Sequence, residues 1–231
     1  MKNVNEWSAQ FDLAYNNITS NQAPGLTEYE KSVFLTDAQE AVVVMIYNGT
    51  LRSSFEETEE MTNYLSPLVK QVTISAEVPG ASHIVEGTKV FALPSNMQFR
   101  TLEMCKINTD KCPGKDVIVV PVTQDEFWRT KRNPFKGAND NRVLRLAFGS
   151  YAETITGNNN KTDYSELYSE NEITQYTVRY IERPEPIILD YLDDGLSIRG
   201  KTEPCTCKLD EALHQTILME AVKAAKAIWN S

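Results

Sequence analysis

Catalysis needs a nucleophile, a proton carrier or a metal-ligand set at workable spacing, and this chain offers few candidates. Its imidazoles are His83 and His214. His83 follows Pro79-Gly80 and reads as an exposed loop side chain. His214 falls early in the last expected helix, on the side of Glu211 and Leu218. An ion pair or a hydrogen bond near the helix cap accounts for it better than proton transfer. No serine or cysteine motif stands beside either histidine. The four cysteines are Cys105, Cys112, Cys205 and Cys207. Their spacings, C-x6-C and C-x-C, depart from the C-x2–4-C knuckles that wrap zinc. They read as free thiols, with zinc or a structural disulfide as lesser alternatives.

Three other clusters carry charge without an evident reaction. Asp193-Asp194-Gly195 lacks the alternating acidic positions and the distal glutamate of a calcium loop. It reads instead as a hairpin turn between Ile187–Leu192 and Leu196–Ile198. Arg129, Lys131, Arg132 and Lys136 adjoin Phe127, Trp128 and Phe135. Basic and aromatic residues together can hold single-stranded nucleic acid; contact with an acidic neighbouring subunit and a plain solvated face are the other readings. Glu56, Glu57, Glu59 and Glu60 sit one to four residues apart on an expected helix, which makes a charged surface and not an acid–base pair. There is no phosphate-binding loop and no dinucleotide fingerprint. No cofactor is called for.

The net charge is −9, and residues 1–70 contribute −6 of it. An acidic surface repels phosphate, which argues against nucleic-acid grip but allows a smooth wall past which DNA slides. Met1-Lys2 leads into polar residues, so no secretory signal is read. The apolar run Ala41–Tyr47 is far short of the ~20 residues that span a bilayer. Reduced thiols in a bacterial cytoplasm are the expectation.

The elements that must position these side chains fall in three blocks. Val4, Trp7, Phe11, Ala14 and Ile18 recur at helical spacing, with Asn3 and Glu6 as a capping pattern. Pro24-Gly25 turns the chain. Thr27 with Glu30, and Thr36 with Gln39, each read as a capping box. They predict a short helix ending near Phe34, a break, and a second helix from Asp37 to Tyr47 stopped by Asn48-Gly49. The β-branched run Ala41–Ile46 leaves a strand as the alternative. Ser54 with Glu57 opens another helix, kinked or restarted at Ser66-Pro67.

The period then drops to two. Val72, Ile74, Ala76 and Val78 alternate with polar residues. Further strands are predicted at Val90–Leu93, Phe99–Ile107, Val117–Val120, Val143–Phe148 and Ile173–Ile181, with a short helix at Gln124–Lys131. Gly157–Asn160 reads as a loop. Leu209, Leu213, Ile217, Ala221, Val222, Ala225 and Ile228 make the stripe of a closing helix, and Ala221, Ala224, Ala225 and Ala227 allow close approach. The fold class is therefore α+β: a helical body from both chain ends with a central antiparallel β-rich insertion. The expected parts are 1–70, 71–190, and 191–231 returning to the body, as one composite domain.

Four blocks carry a resemblance. They are NQAPGLTEYEKSVFLTDAQEAVV from Asn21, Glu56-Glu57-Thr58-Glu59-Glu60 after Phe55, RYIERPEPIIL from Arg179, and CKLDEALHQTILMEAVKAA from Cys207. Together they resemble a family of structural proteins in crAss-like bacteriophages of gut Bacteroidetes. The last block is similar, more loosely, to the closing helix of head–tail adaptors of short-tailed phages. Asp210 stands where family members often have proline, and both residues suit a first helical turn.

The resemblance implies a non-enzymatic virion subunit of the neck or tail. It would form a homo-oligomeric, twelve-fold ring meeting the portal or adjacent tail rings, with genomic DNA passing its lumen and no membrane partner. Another structural, cargo or assembly role in the same virion is the alternative reading. No catalytic residues carry over. Arg183-Pro184-x-Pro186 is expected to be a stiff strap between body and extension, or else simply a strand end. Trp128, Arg129 and Arg132 are the candidate contact residues.

Overall fold

The computed structural model describes residues 3–16, 25–50, 63–79, 85–109, 112–146, 164–192 and 195–229. The chain forms two compact units, one from Met1–Leu68 with Arg183–Ser231, the other from Val69–Glu182. Helices at the chain ends and a central β-rich region make the fold α+β, as the sequence predicts.

The helical unit contains α1 (Val4–Asn16), α2 (Glu28–Tyr47) and α4 (Glu211–Trp229). Trp7, Phe11 and Tyr15 line one face of α1 and are buried. Leu213, Ile217, Ala221, Val222 and Ala225 do the same on α4. Ile228 departs from that stripe and is 67% exposed, because the packed face ends one turn earlier. Ala221 and Ala225 meet the core, whereas Ala224 and Ala227 face outward. Lys31 ties α2 to α1: its Nζ reaches Asp12 at 2.7 Å, Glu28 at 2.9 Å and the Ser8 hydroxyl at 3.3 Å. Burial works against that charge, but the two carboxylates outweigh it and hold the lysine pKa above its ordinary value.

The Thr27–Glu30 capping box is present in full. Around Asn3, the Glu6 carboxylate accepts from the Asn3 N–H at 2.8 Å. The expected break between Phe34 and Asp37 is absent, and α2 runs unbroken as one 20-residue helix. Thr36 and Gln39 are buried inside it and serve tertiary contacts instead of a cap. Asn48 caps its C-terminus, and Gly49 takes φ +68° just beyond, a left-handed conformation that glycine adopts without strain.

The β unit is one seven-stranded sheet in the order β1-β7-β3-β4-β5-β6-β2. The strands are β1 (Val69–Ile74), β2 (Thr88–Ala92), β3 (Met97–Asn108), β4 (Lys115–Val122), β5 (Arg142–Leu146), β6 (Tyr164–Tyr168) and β7 (Glu172–Glu182). Pairing is antiparallel except between β4 and β5. There α3 (Gln124–Lys131) carries the chain back, and a crossover makes the two strands parallel. Thr123 flanks α3 but makes no side-chain cap.

The sheet curls enough to bring Phe91 of β2 within 5.5 Å of Tyr176 of β7. One face buries Phe91, Cys105, Ile107, Val117, Val143 and Tyr176. On the other, Phe127 of α3 packs on Val122, Leu144 and Leu146.

Strand β6 escapes the sequence reading for a physical reason. Ser165 and Glu166 are buried in it, so the period-two pattern is lost. Glu166 Oε1 accepts from the Val85 N–H at 3.1 Å and from the Thr88 hydroxyl. The expected features at Ile18, Pro24, Ser54–Glu60, His83, Phe148, Gly157–Asn160 and Asp193–Asp194 lie outside the described residues. Among the described residues, no helix is long and apolar enough to cross a membrane.

Phe127→Ala removes the ring at the centre of the second β cluster. Cavity formation of this kind costs about 3–5 kcal/mol, and denaturant unfolding followed on the three tryptophans, Trp7, Trp128 and Trp229, should show it, with the Trp128 signal changing first.

Candidate functional site

Two places gather the side chains singled out by sequence: the segment after β7 and the corner around α3. The first is an extended stretch, Arg183–Leu189, laid along α2. Pro184, Pro186, Ile187, Ile188 and Leu189 are buried. An extended backbone in a core must satisfy its N–H and C=O groups, and α2 supplies partners from one face.

Gln39 Nε2 donates to the Glu185 carbonyl at 3.0 Å. The Thr36 hydroxyl donates to the Ile187 carbonyl at 3.2 Å and accepts from the Ile187 N–H at 3.1 Å. Ser32 Oγ accepts from the Leu189 N–H at 3.0 Å. On the far edge, Ile188 exchanges both backbone bonds with Cys205, at 2.9 and 3.0 Å.

Two carboxylates tie down the rim. Glu40 of α2 meets Arg183 at 3.1 Å and Arg199 at 2.6 Å, and Arg199 also reaches the Pro184 carbonyl at 3.4 Å. Glu185 meets Lys201 at 3.2 Å and Lys208 at 2.7 Å, and the Cys205 thiol donates to it at 3.4 Å. The Lys208 hydrogen bond, with Lys201 and Cys205 behind it, outweighs desolvation and lowers the Glu185 pKa to about 2.

The hairpin expected at Asp194-Gly195 is differently built. Leu192 bonds Thr202, so residues 202–205 return along 188–192, and 196–198 do not. The tight reversal is at Arg199-Gly200, with φ of 53° and 75° and both Ile198–Lys201 bonds at 3.0 Å. Two successive positive φ values are what a type I′ turn needs.

The second place is the α3 corner. Phe127 is fully buried, while Trp128 is 55% and Phe135 86% exposed. Arg129, Arg132 and Lys136 are exposed around them. Lys131 folds back over the Tyr168 ring, 4.1 Å from its centroid. The loop carrying Phe135 is firmly built: Arg142 Nη1 donates to the Phe135 carbonyl at 3.0 Å, and Asn133 Oδ1 accepts from the Phe135 N–H at 2.9 Å. A side chain at Gly137 would stand 2.9 Å from the Asn133 carbonyl, so that position requires glycine.

The chemistry-bearing residues are otherwise dispersed. His214 is buried against Trp7, ring centroids 5.0 Å apart, with Nε2 3.2 Å from the Leu209 carbonyl. That is the predicted hydrogen bond near the helix cap. All four cysteines are free thiols. Burial pushes Cys105 up to about 12 and Cys207 up to about 11, so both stay protonated and inert. Among the described residues, no three histidine, cysteine or carboxylate side chains converge on a metal-sized site. Sequence reasoning missed Ser32, Thr36, Gln39 and Glu40 as the docking set. The one available signal was buried-type spacing (i, i+4, i+7) carried by polar residues, which resembles a helix cap.

Similarity over nearly the whole chain defines its class, the bacteriophage ring proteins, structural components of the virion. The family model for phage tail ring protein 3/4 matches residues 1–230, and the chain belongs to that family. It is similar to "Ring protein 3" of Bacteroides phage crAss001, 37% identical over 226 residues, covering 95% of this chain and 93% of that protein. "Ring protein 4/5" of the same phage is 32% identical over an alignment of 236 residues, covering 98% and 93%.

Thr36→Val should leave the Ile187 N–H and carbonyl buried without this partner, at about 1–3 kcal/mol for each group; a denaturant titration measures the loss. Glu185 gives a pH signature. Its folded pKa lies below the ordinary carboxylate value of ~4.3, so its stabilisation is present above that value and is lost as pH falls toward about 2. Melting temperatures should therefore fall less steeply on the acid side in Glu185→Gln than in the wild type.

Proposed function

We propose that the chain is a subunit of a homo-oligomeric ring in the neck or tail of the virion, joining the portal to the tail and enclosing part of the DNA conduit. The observation that carries this reading is the family match over residues 1–230. The helix–strand–helix order, similar to head–tail adaptors, supports the same level in the particle and a twelve-fold ring. Portal protein and neighbouring tail rings are the partners, and the subunit works by contact area and not by catalysis. It is made in the host bacterial cytoplasm and resides in the particle.

Genomic DNA passes through the lumen without specific binding. Residues 1–70 carry −6 of the net −9. Facing the channel, they would oppose the counterion-releasing contacts by which DNA sticks. Arg183, Pro184 and Pro186 form a stiff strap where the chain leaves the β unit and re-enters the helical one. Two prolines fix φ there, and Arg183 is held by Glu40 at 3.1 Å.

Cryo-electron microscopy of the virion tests the reading. This chain should fit a closed ring between portal and tail, with the acids of residues 1–70 lining the bore. Fit elsewhere in the particle would overturn the connector role, and outward-facing acids would overturn the lumen assignment. Pro184→Ala with Pro186→Ala should lower the yield of assembled rings, and unchanged assembly would remove the strap.

A further inference from the structure

A closed ring of identical copies needs two different surfaces that fit one another, because each copy meets its neighbours head to tail. Charge is divided unevenly along the chain in a way that supplies such a pair. The β unit, Val69–Glu182, holds 14 acidic and 14 basic side chains, so the net −9 resides on the helical unit. Within the neutral unit, the cations Arg129, Arg132 and Lys136 gather in the last turn of α3 and just beyond it, and Asp125 and Glu126 occupy its first turn. Among the described residues, none of these three cations has a carboxylate within ion-pair distance.

Trp128 and Phe135 project among them, 55% and 86% exposed. The Phe135 backbone is pinned by Arg142 and Asn133. Exposed aromatics beside arginine, on a backbone already fixed, are the composition of binding anchors, since little entropy remains to be lost.

The helical unit carries the counterpart on its hairpin. Ile188 pairs with Cys205 and Leu192 with Thr202, so Asp190 and Glu203 both lie on the stretches between these two links, and both are exposed. Tyr191, next to Asp190 in the chain, is 73% exposed. Glu203 has no cationic partner among the described residues.

We propose that the α3 corner of one copy docks on the Asp190–Glu203 hairpin of the next, so that Trp128 and Phe135 pack beside Tyr191 while Arg129 and Arg132 meet Asp190 and Glu203. The proposal rests on the ring reading and supplies its subunit contact. Both patches are rimmed by charge, so the contact weakens as salt rises.

A charge-exchange experiment on the full-length protein tests it. One variant carries Arg129→Glu with Arg132→Glu; the other carries Asp190→Lys with Glu203→Lys. Self-association is read by sedimentation velocity, and thermal melts establish that each variant folds. Each variant alone should associate at least tenfold more weakly than wild type. An equimolar mixture should recover association, because each corner then meets a hairpin of opposite sign. Phe135→Ala, which removes an 86% exposed ring, should weaken association without lowering the melting temperature.

The proposal is overturned if the folded variants associate as wild type does, if the mixture fails to recover, or if the wild-type protein stays monomeric at every concentration. A ring in the virion with this corner turned away from its neighbour would sink the contact and leave the ring reading standing. The absence of any ring would sink the ring reading itself.

Discussion

The helical unit depends on how α2 receives an extended backbone. A strand buried beside other strands has its hydrogen bonds supplied by the ladder, whereas a strand beside a helix does not, since the helix spends its own backbone groups internally. Here side chains take the ladder's place. Ser32 and Thr36 are four residues apart, which advances about 6 Å along a helix. Leu189 and Ile187 are two residues apart, which advances about 6.6 Å along an extended chain. The two rises nearly match, so consecutive rungs fall into register. Thr36 to Gln39 advances only about 4.5 Å, and the longer glutamine side chain reaches the Glu185 carbonyl across the difference. The sequence S-x3-T-x2-Q is therefore a set of graded arms. It fixes the segment after β7 along the helix to within one residue.

That register decides where everything downstream goes. Ile187 and Leu189 turn their backbone groups to α2, and Ile188 turns its own to Cys205. The returning chain is thereby placed, and with it Leu209 and the start of α4. Glu40 and Glu185 collect four cations around the same segment. Single ion pairs at this exposure are worth little in stability. Their value lies in position: Glu40 holds two separated points of the chain at once, Arg183 before the hairpin and Arg199 in its turn. The Arg199-Gly200 reversal then needs positive φ at an arginine, a conformation that costs energy for a residue with a Cβ. Contacts from Arg199 to Glu40 and to the Pro184 carbonyl keep it there.

Elements with one buried and one exposed face were legible from sequence. The stripes of α1 and α4 and the strands β1 and β7 follow from period, and α3 from the start signal at its N-terminus. Reading failed where buried positions are polar. Thr36 and Gln39 imitated a cap, because a cap and a tertiary docking site use the same side-chain oxygens and amides. Glu166 hid β6 by placing a carboxylate where an aliphatic residue belonged. The hairpin turn was misplaced for a different reason. Asp-Gly is a strong local signal, and it competed with an Arg-Gly turn whose geometry is imposed by distant partners. Of the candidate site, the prolines and the exposed α3 corner could be seen in the sequence, while the polar face of α2 that receives Glu185, Ile187 and Leu189 could not.

Perturbed titratable groups often cluster at reaction centres, and their distribution here argues for another use. Cys105 and Tyr176 are shifted by burial inside the sheet, Lys31 by two carboxylates between helices, and Glu185 by lysines on the hairpin rim. Cys105 and Tyr176 are cross-strand partners in the sheet core, while Lys31 and Glu185 lie at two other places, so the four do not converge on one centre. A buried polar group with one satisfying geometry penalises every alternative packing, because a shifted neighbour would leave it unpaired. Lys31 allows one placement of α1, Glu166 one placement of the Val85–Thr88 turn, and Thr36 one register of the chain after β7. In the proposed ring of identical copies, a small error in register would recur at every contact. Spending polar residues on uniqueness of shape, at some cost in stability, is the physical logic that the ring requires.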